Sequence, residues 1–327
     1  MRSCIPLLAS ALLLFGPPSV ADDGSEKWAK HDPGAWESID HSLWGNILAE
    51  AIVPYEEVKD VVSRSKWDCR HTRSRIPTCD TSKYGNENLK GVALVPYKYF
   101  RPEFDFYIRS YLRKMSEIEI RKYNRKEQLA YWLNLHNAAV MHVIYEEYPV
   151  DSVAKLRPDP GESPKEDFAW TRPIIEIDGV SLSIRDIERE VLFANWQEPR
   201  ILYGLYDGAV GGPALMKEPF EGWRVYGQLR RNGYDYVNSR RAMRLFGDEL
   251  NLSHVFDYGR SLFKGASGVV SHLGELAAPS LQEKLAAVDE ILFDYRDLTL
   301  AEYRASDNFQ DRAVLGRHVD YNGRPNP

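Results

Sequence analysis

Between Tyr131 and Pro149 the chain reads YWLNLHNAAVMHVIYEEYP, a long apolar run with Asn134, His136 and Asn137 set in its middle. Burying an amide or an imidazole without a partner costs about 1–3 kcal/mol. Each of the three must therefore serve a ligand or satisfy groups of the protein itself. Asn134 and Asn137 fall one helical turn apart on one face, where they could line a pocket and hold a ligand by hydrogen bonds. Buried amides also commonly satisfy the backbone of irregular loops. His136, on the same element, is of the residue type most used as a general acid or base.

Other chemistries have less to stand on. His136 and His142 project about 240° apart around a helix and cannot share an ion. His31, His41, His71, His254, His272 and His318 are scattered singly, so no metal and no other cofactor is expected. No Gly-x-Ser-x-Gly occurs, and Ser267 in KGASGVV reads as part of a glycine-rich turn. The cysteines are Cys4, Cys69 and Cys79. Cys4 precedes an apolar run from Ile5 to Phe15 and the small residues Ser19-Val20-Ala21, which with Arg2 read as a secretory signal peptide over 1–21. Cys69 and Cys79 are then an even pair in an oxidising compartment, periplasmic or secreted. They flank RHTRSRIPT, and a disulfide there closes a loop worth about 2–3 kcal/mol on the chain-entropy model. A zinc site is the competing reading, with only His71 nearby to add a ligand. A formal net charge of −6 argues against nucleic acid as a partner, and no later apolar stretch is long enough to span a membrane.

The elements that must position these residues follow from pattern. DHSLWGNILAEAIVPYEEVKDVV has Asp40 as a helix cap and helical spacing until Pro54 interrupts it. RPEFDFYIRSYLRKMSEIEI reads as a helix with a stripe at Phe104, Tyr107, Tyr111 and Met115. Asn124 with Glu127 can form a capping box for the helix that carries the opening motif, and Pro149 ends it. That helix is apolar on most sides and belongs inside. PIIEIDGVSLS gives two short strands about Asp178-Gly179, and Ser183 with Asp186 opens the next helix. PRILYGLYDGAVGGPAL reads as an apolar strand entering a glycine-rich turn, EGWRVYGQLRRNGYDYVNS as a helix, and PSLQEKLAAVDEIL as further helix. The expected architecture is a helix-rich α+β single domain with a small sheet or hairpin. Its parts are a signal peptide over 1–21, an N-terminal helical segment with the cysteine loop over 22–85, the main body over 86–304, and a flexible polar tail over 305–327.

LAYWLNLHNAAVMHVIYEEYPVDSV, IIEIDGVSLSIRDIEREVL, EPRILYGLYDGAVGGPAL and LSHVFDYGRSLFKGASGVVSHL occur in the order and spacing of the domain of unknown function 547 family, and from Gly91 to Tyr303 the chain resembles it. The resemblance implies an exported bacterial protein and no agreed reaction. It also implies Asn-Cys-Ala-Ser-x-x-Cys-Pro where this chain has Tyr206 to Pro213, a histidine where Arg189 stands, and another where Leu202 stands. If relatives use a thiolate activated by an imidazole, this chain cannot do the same. Asp207 takes the cysteine position, beside glycines whose N–H groups could approach a ligand. Glu188, Glu190, Asp257 and Asp294 could supply a second acid. Alternatively Asp207 and Arg189 could face one another as an ion pair in a former catalytic pocket lined also by Asn134, His136, Asn137, Glu188 and Asp257. The resulting expectation is a non-catalytic protein that binds a small ligand or an envelope protein. The alternative is an envelope hydrolase or transferase using Asp207, and His136 with it. The tryptophans near Trp28, Trp36 and Trp44 could form a docking surface, although scattered aromatics are normally core.

Overall fold

The computed structural model describes residues 24–54, 91–156, 168–295 and 297–303. The expected signal peptide over 1–21, the expected Cys69–Cys79 loop and the expected tail from 305 lie outside the described residues. In chain order the helices are α1 (Gly24–Ala29), α2 (Ser42–Ala51), α3 (Pro102–Ser116), α4 (Arg125–Glu146), α5 (Ile184–Asp186), α6 (Val225–Val237), α7 (His254–Tyr258), α8 (Gly265–Leu276) and α9 (Pro279–Leu285). The strands are β1 (Val53–Pro54), β2 (Ala93–Leu94), β3 (Ile175–Ile177), β4 (Val180–Leu182), β5 (Met243–Phe246), β6 (Glu249–Ser253) and β7 (Glu290–Tyr295). They pair as β1 with β2, β3 with β4, and β5-β6-β7. This is the expected helix-rich α+β domain.

Everything is organised around α4. The Asn124 side chain accepts from the N–H groups of Lys126 and Glu127 at 3.0 and 3.2 Å, capping two donors that a helix start leaves open. Glu127 does not close the box. Its Oε2 instead accepts from Ile39 N at 3.2 Å, tying the N-terminal segment to the helix. From Glu127 to Ile144 every residue of α4 is buried, as an apolar helix without a wet face requires. The other elements supply the walls, and the buried apolar side chains form one contiguous cluster.

Helix α3 lies along α4 with Ile108, Tyr111, Leu112 and Met115 inside. The expected stripe through Tyr107 is displaced by one position, and Tyr107 is exposed. The cause is polar: His142 of α4 contacts Asp105 Oδ1 at 2.7 Å through Nδ1, which turns the Asp105–Ile108 face inward. His142 Nε2 also faces Glu146 at 3.4 Å, so this ring serves the α3–α4 seam on a side away from His136.

Among the tryptophans, Trp28 packs edge-on against Trp132 and Trp44 stacks on Tyr111, so both belong to the core. Beside Trp44, His41 sits buried with Nδ1 2.7 Å from Tyr111 Oη, while its Nε2 is buried without a partner. Burial pushes the His41 imidazole down to about 4. Because the unfolded chain takes up this proton near pH 6.5, stability is complete above that pH and falls as pH drops toward 4. The loss reaches about 3 kcal/mol from this residue. His272, also lowered by burial, acts in the same direction. Denaturant unfolding at pH 7.5 and 4.5 is expected to show a smaller loss in His41→Gln than in the wild type, and an equal loss would contradict the assignment.

The hairpin turns at Asp178 and Gly179, both at positive φ, with Ile177 opposite Val180. This is the two-residue turn that an Asp-Gly pair favours. Three other expectations change. PRILYG is a 3₁₀ helix, Pro199–Gly204, rather than a strand, because its carbonyls are taken by side chains instead of a ladder: Asn137 reaches Gly204 O and Asn232 reaches Tyr203 O. Ser267 lies inside α8 rather than in a turn. The end of PSLQEKLAAVDEIL leaves the helix at Leu285 and becomes β7, a parallel partner of β6. No local pattern announces a strand whose only support comes from a distant neighbour.

Candidate functional site

Asn134 and Asn137 face backbone. Asn134 Nδ2 donates to Phe220 O at 2.8 Å, and its Oδ1 accepts from Phe220 N at 2.9 Å. Asn137 Nδ2 donates to Gly204 O and its Oδ1 accepts from Tyr206 N, both at 3.0 Å. Each amide therefore replaces a missing rung of secondary structure for a segment that has no strand to pair with.

The two bonds fix which end of the Asn137 amide is oxygen, and that settles a proton on the neighbouring ring. His136 Nδ1 lies 3.0 Å from Asn137 Oδ1, an acceptor, so Nδ1 carries hydrogen and donates. Nε2 then meets Glu188 Oε1 at 2.8 Å, a contact that requires one proton between the two atoms. The hydroxyl of Tyr258 donates to Glu188 Oε2. Tyr258, Glu188, His136 and Asn137 thus form one continuous hydrogen-bonded chain, with His136 0% and Glu188 2% exposed.

Glu188 reaches the ring because of local backbone chemistry. Ser183 and Asp186 form the anticipated capping box at α5, and the helix widens to π geometry over Ile187–Phe193. Such π turns are rare and recur at functional sites. Here the turn sends Glu188 inward, while the guanidinium of Arg189 lies over Tyr258, 4.1 Å from the ring centroid, and 5.4 Å from that of Phe193. Arg189, the residue expected to face Asp207, thus lies against two aromatic rings.

Asp207, 6% exposed, opens the glycine-rich turn. Its Oδ1 accepts from Ala209 N at 2.9 Å and its Oδ2 faces His254 Nε2 at 3.4 Å. The turn wraps the carboxylate so closely that a Cβ at Gly212 would lie 2.1 Å from Oδ1. Gly208 has φ +78°, and a Cβ there would meet Ile144 at 2.4 Å, so this position needs glycine twice over. The next N–H groups are taken too. Val210 N donates to Thr299 O at 2.8 Å, Gly211 N to Asp297 O at 2.9 Å and Gly212 N to Ala209 O at 3.2 Å. Ala301 N returns to Gly208 O at 2.7 Å, which clamps residues 297–301 over the turn. Burial pushes the Asp297 carboxyl above its usual range, against the pull of the Thr299 bonds, Arg244 and His254.

Helix α7 joins the two clusters, since His254 at its start faces Asp207 and Tyr258 at its end bonds Glu188. Asp257 points elsewhere, to Arg260 at 2.5 Å. The sequence reading did not single out His254 or Tyr258. Their four-residue spacing in SHVFDYG, which puts an imidazole and a phenol on one helix face, was the available signal.

Residues 120–237 match the family model described as protein of unknown function, DUF547. Over these residues, about a third of its length, the chain is similar to that family. No curated protein and no solved structure matches it. The DUF547 match covers α4, the hairpin, the π turn, the glycine-rich turn and α6, and stops short of α7, which supplies His254 and Tyr258. Within the matched span Leu202 is buried against Gly259, where a Cβ would meet its Cδ2 at 2.4 Å. Among the described residues no three His, Cys, Asp or Glu side chains are grouped to hold a metal ion. No described helix is long and apolar enough to cross a membrane.

Proposed function

We propose that this chain is an exported, non-catalytic protein that acts by binding a small ligand or an envelope protein. One observation carries the reading: from Ala209 to Gly212, four successive N–H groups beside Asp207 are taken by the protein's own acceptors. Catalysis at this turn would need donors aimed at the oxygen of a reacting group, and a nucleophile or base within hydrogen-bond reach of a substrate. Asp207 is enclosed, and His136 has both ring nitrogens engaged. Export rests on the expected leader and the paired cysteines. Mature protein recovered from the exported fraction should begin at Asp22 and weigh two hydrogens less than the reduced chain; an intact leader or a free thiol pair would contradict this.

The competing reading, an envelope hydrolase or transferase, draws on the Asp207–His254 contact as an acid–base pair. Incubating the protein with peptide, ester and glycan substrates beside Asp207→Asn separates the two. No turnover above the blank is expected. Turnover that the variant loses, with its melting temperature retained, would establish the enzyme.

A further inference from the structure

The turn at Asp207 is closed, so a small ligand must be met elsewhere. Between α6 and the loop that leaves the glycine-rich turn lies a cavity of about 200 Å³, lined by Met216, Lys217, Glu218, Arg231, Asn232 and Asp235. Sites for drug-sized ligands hold about 300–1,000 Å³. This one has room for a smaller metabolite.

Asn232 lines the cavity although it is only 7% exposed. Its Nδ2 donates to Tyr203 O and, at 3.0 Å, to Ala214 O. Two carbonyl partners use both amide hydrogens and so fix which end of the amide is oxygen. That oxygen has no partner of its own among the described residues. The fold thus holds a hydrogen-bond acceptor in place at the cavity and leaves it for a guest.

The charges of the lining divide in the same way. Arg231 and Asp235 stand four residues apart on α6, within reach of one another. They are not paired with each other, and neither has another partner among the described residues. Glu218, by contrast, is engaged by Arg224 at 3.1 Å. The cavity therefore keeps one uncommitted guanidinium, one uncommitted carboxylate and one neutral acceptor. A simple anion would meet Asp235 and Glu218 there, and a simple cation would meet Arg231 and Lys217. A quaternary ammonium calls for aromatic faces, and no aromatic ring lines this cavity. What fits is a small molecule that carries both charges a few bonds apart, with hydrogens on its ammonium.

We propose that this cavity binds a free α-amino acid. The carboxylate of the ligand accepts from the forked guanidinium of Arg231. Its ammonium donates to Asp235 and to Asn232 Oδ1. Met216, half-buried and the one apolar residue of the lining, favours an apolar side chain on the ligand. The inference rests on the binding reading above and gives that reading a ligand class.

Calorimetric titration of the full chain with L-leucine, N-acetyl-L-leucine and L-leucinamide tests this, because each derivative lacks one of the two charges. Saturable binding of L-leucine with a Kd below about 1 mM is expected, and binding at least about tenfold weaker for either derivative. Arg231→Gln and Asp235→Asn should each weaken L-leucine by at least about tenfold. Their melting temperatures should not change, since both side chains are exposed. No saturable binding of L-leucine, equal binding of either derivative, or binding indifferent to both substitutions would each overturn the proposal. Those results would leave the wider binding reading standing, with an envelope protein as its partner. Turnover that depends on Asp207 while L-leucine still binds would do the reverse.

Discussion

Glu188→Leu is expected to destabilise the protein by about 3–5 kcal/mol, at about 1–3 kcal/mol for each group it leaves without its hydrogen-bond partner. The leucine deprives two groups at once, buried His136 Nε2 at 2.8 Å and the half-buried Tyr258 hydroxyl. His136→Phe should cost a comparable amount, since it removes the Nε2 partner of buried Glu188 Oε1 and the Nδ1 partner of Asn137 Oδ1. The double variant should recover much of the loss, because replacing both members by apolar groups of similar shape removes the need for either. A double-mutant cycle by denaturant unfolding checks this, with a coupling of more than about 1 kcal/mol expected. Additive effects would mean that the contact contributes nothing as a pair.

Asn137→Leu should be as severe by a different route. It leaves Gly204 O, Tyr206 N and His136 Nδ1 buried without their partner. At about 1–3 kcal/mol for each stranded group, partly relieved by relaxation, a loss of about 3–5 kcal/mol is expected. Asn134→Leu strands only the two groups of Phe220 and should cost less. Equal, small effects at both positions would contradict the view that these amides hold the 3₁₀ segment and the approach to α6 in place.

Much of this frame was legible in residues that act locally. Asn124 marks the start of α4, Asp178-Gly179 the hairpin, and Ser183 with Asp186 the next helix, each through bonds spanning two or three residues. The internal character of α4 follows from its composition alone. What sequence could not give was set by distant partners. PRILYG has strand composition, yet side chains from α4 and α6 claim its carbonyls before any strand can. Glu188 turns inward because a π turn widens the helix, and no residue pattern announces one. Arg189 and Asp207 are close in the logic of substitution, but in space each has its own neighbours, Tyr258 and His254. The aromatic residues near the N-terminus needed the fold to sort them: Trp28 and Trp44 fill the core while Trp36 stays in water.

The claim on which the rest depends is that the Asp207 turn is closed. Carboxyl footprinting of the native protein, with a carbodiimide and an amine followed by peptide mass spectrometry, measures that directly. Asp40 and Glu119, with side chains 62% and 69% exposed, should be modified in the folded state. Asp207 and Glu188 should react only after unfolding. Modification of native Asp207 at the rate of Asp40 would show a site open to substrate and would contradict the account.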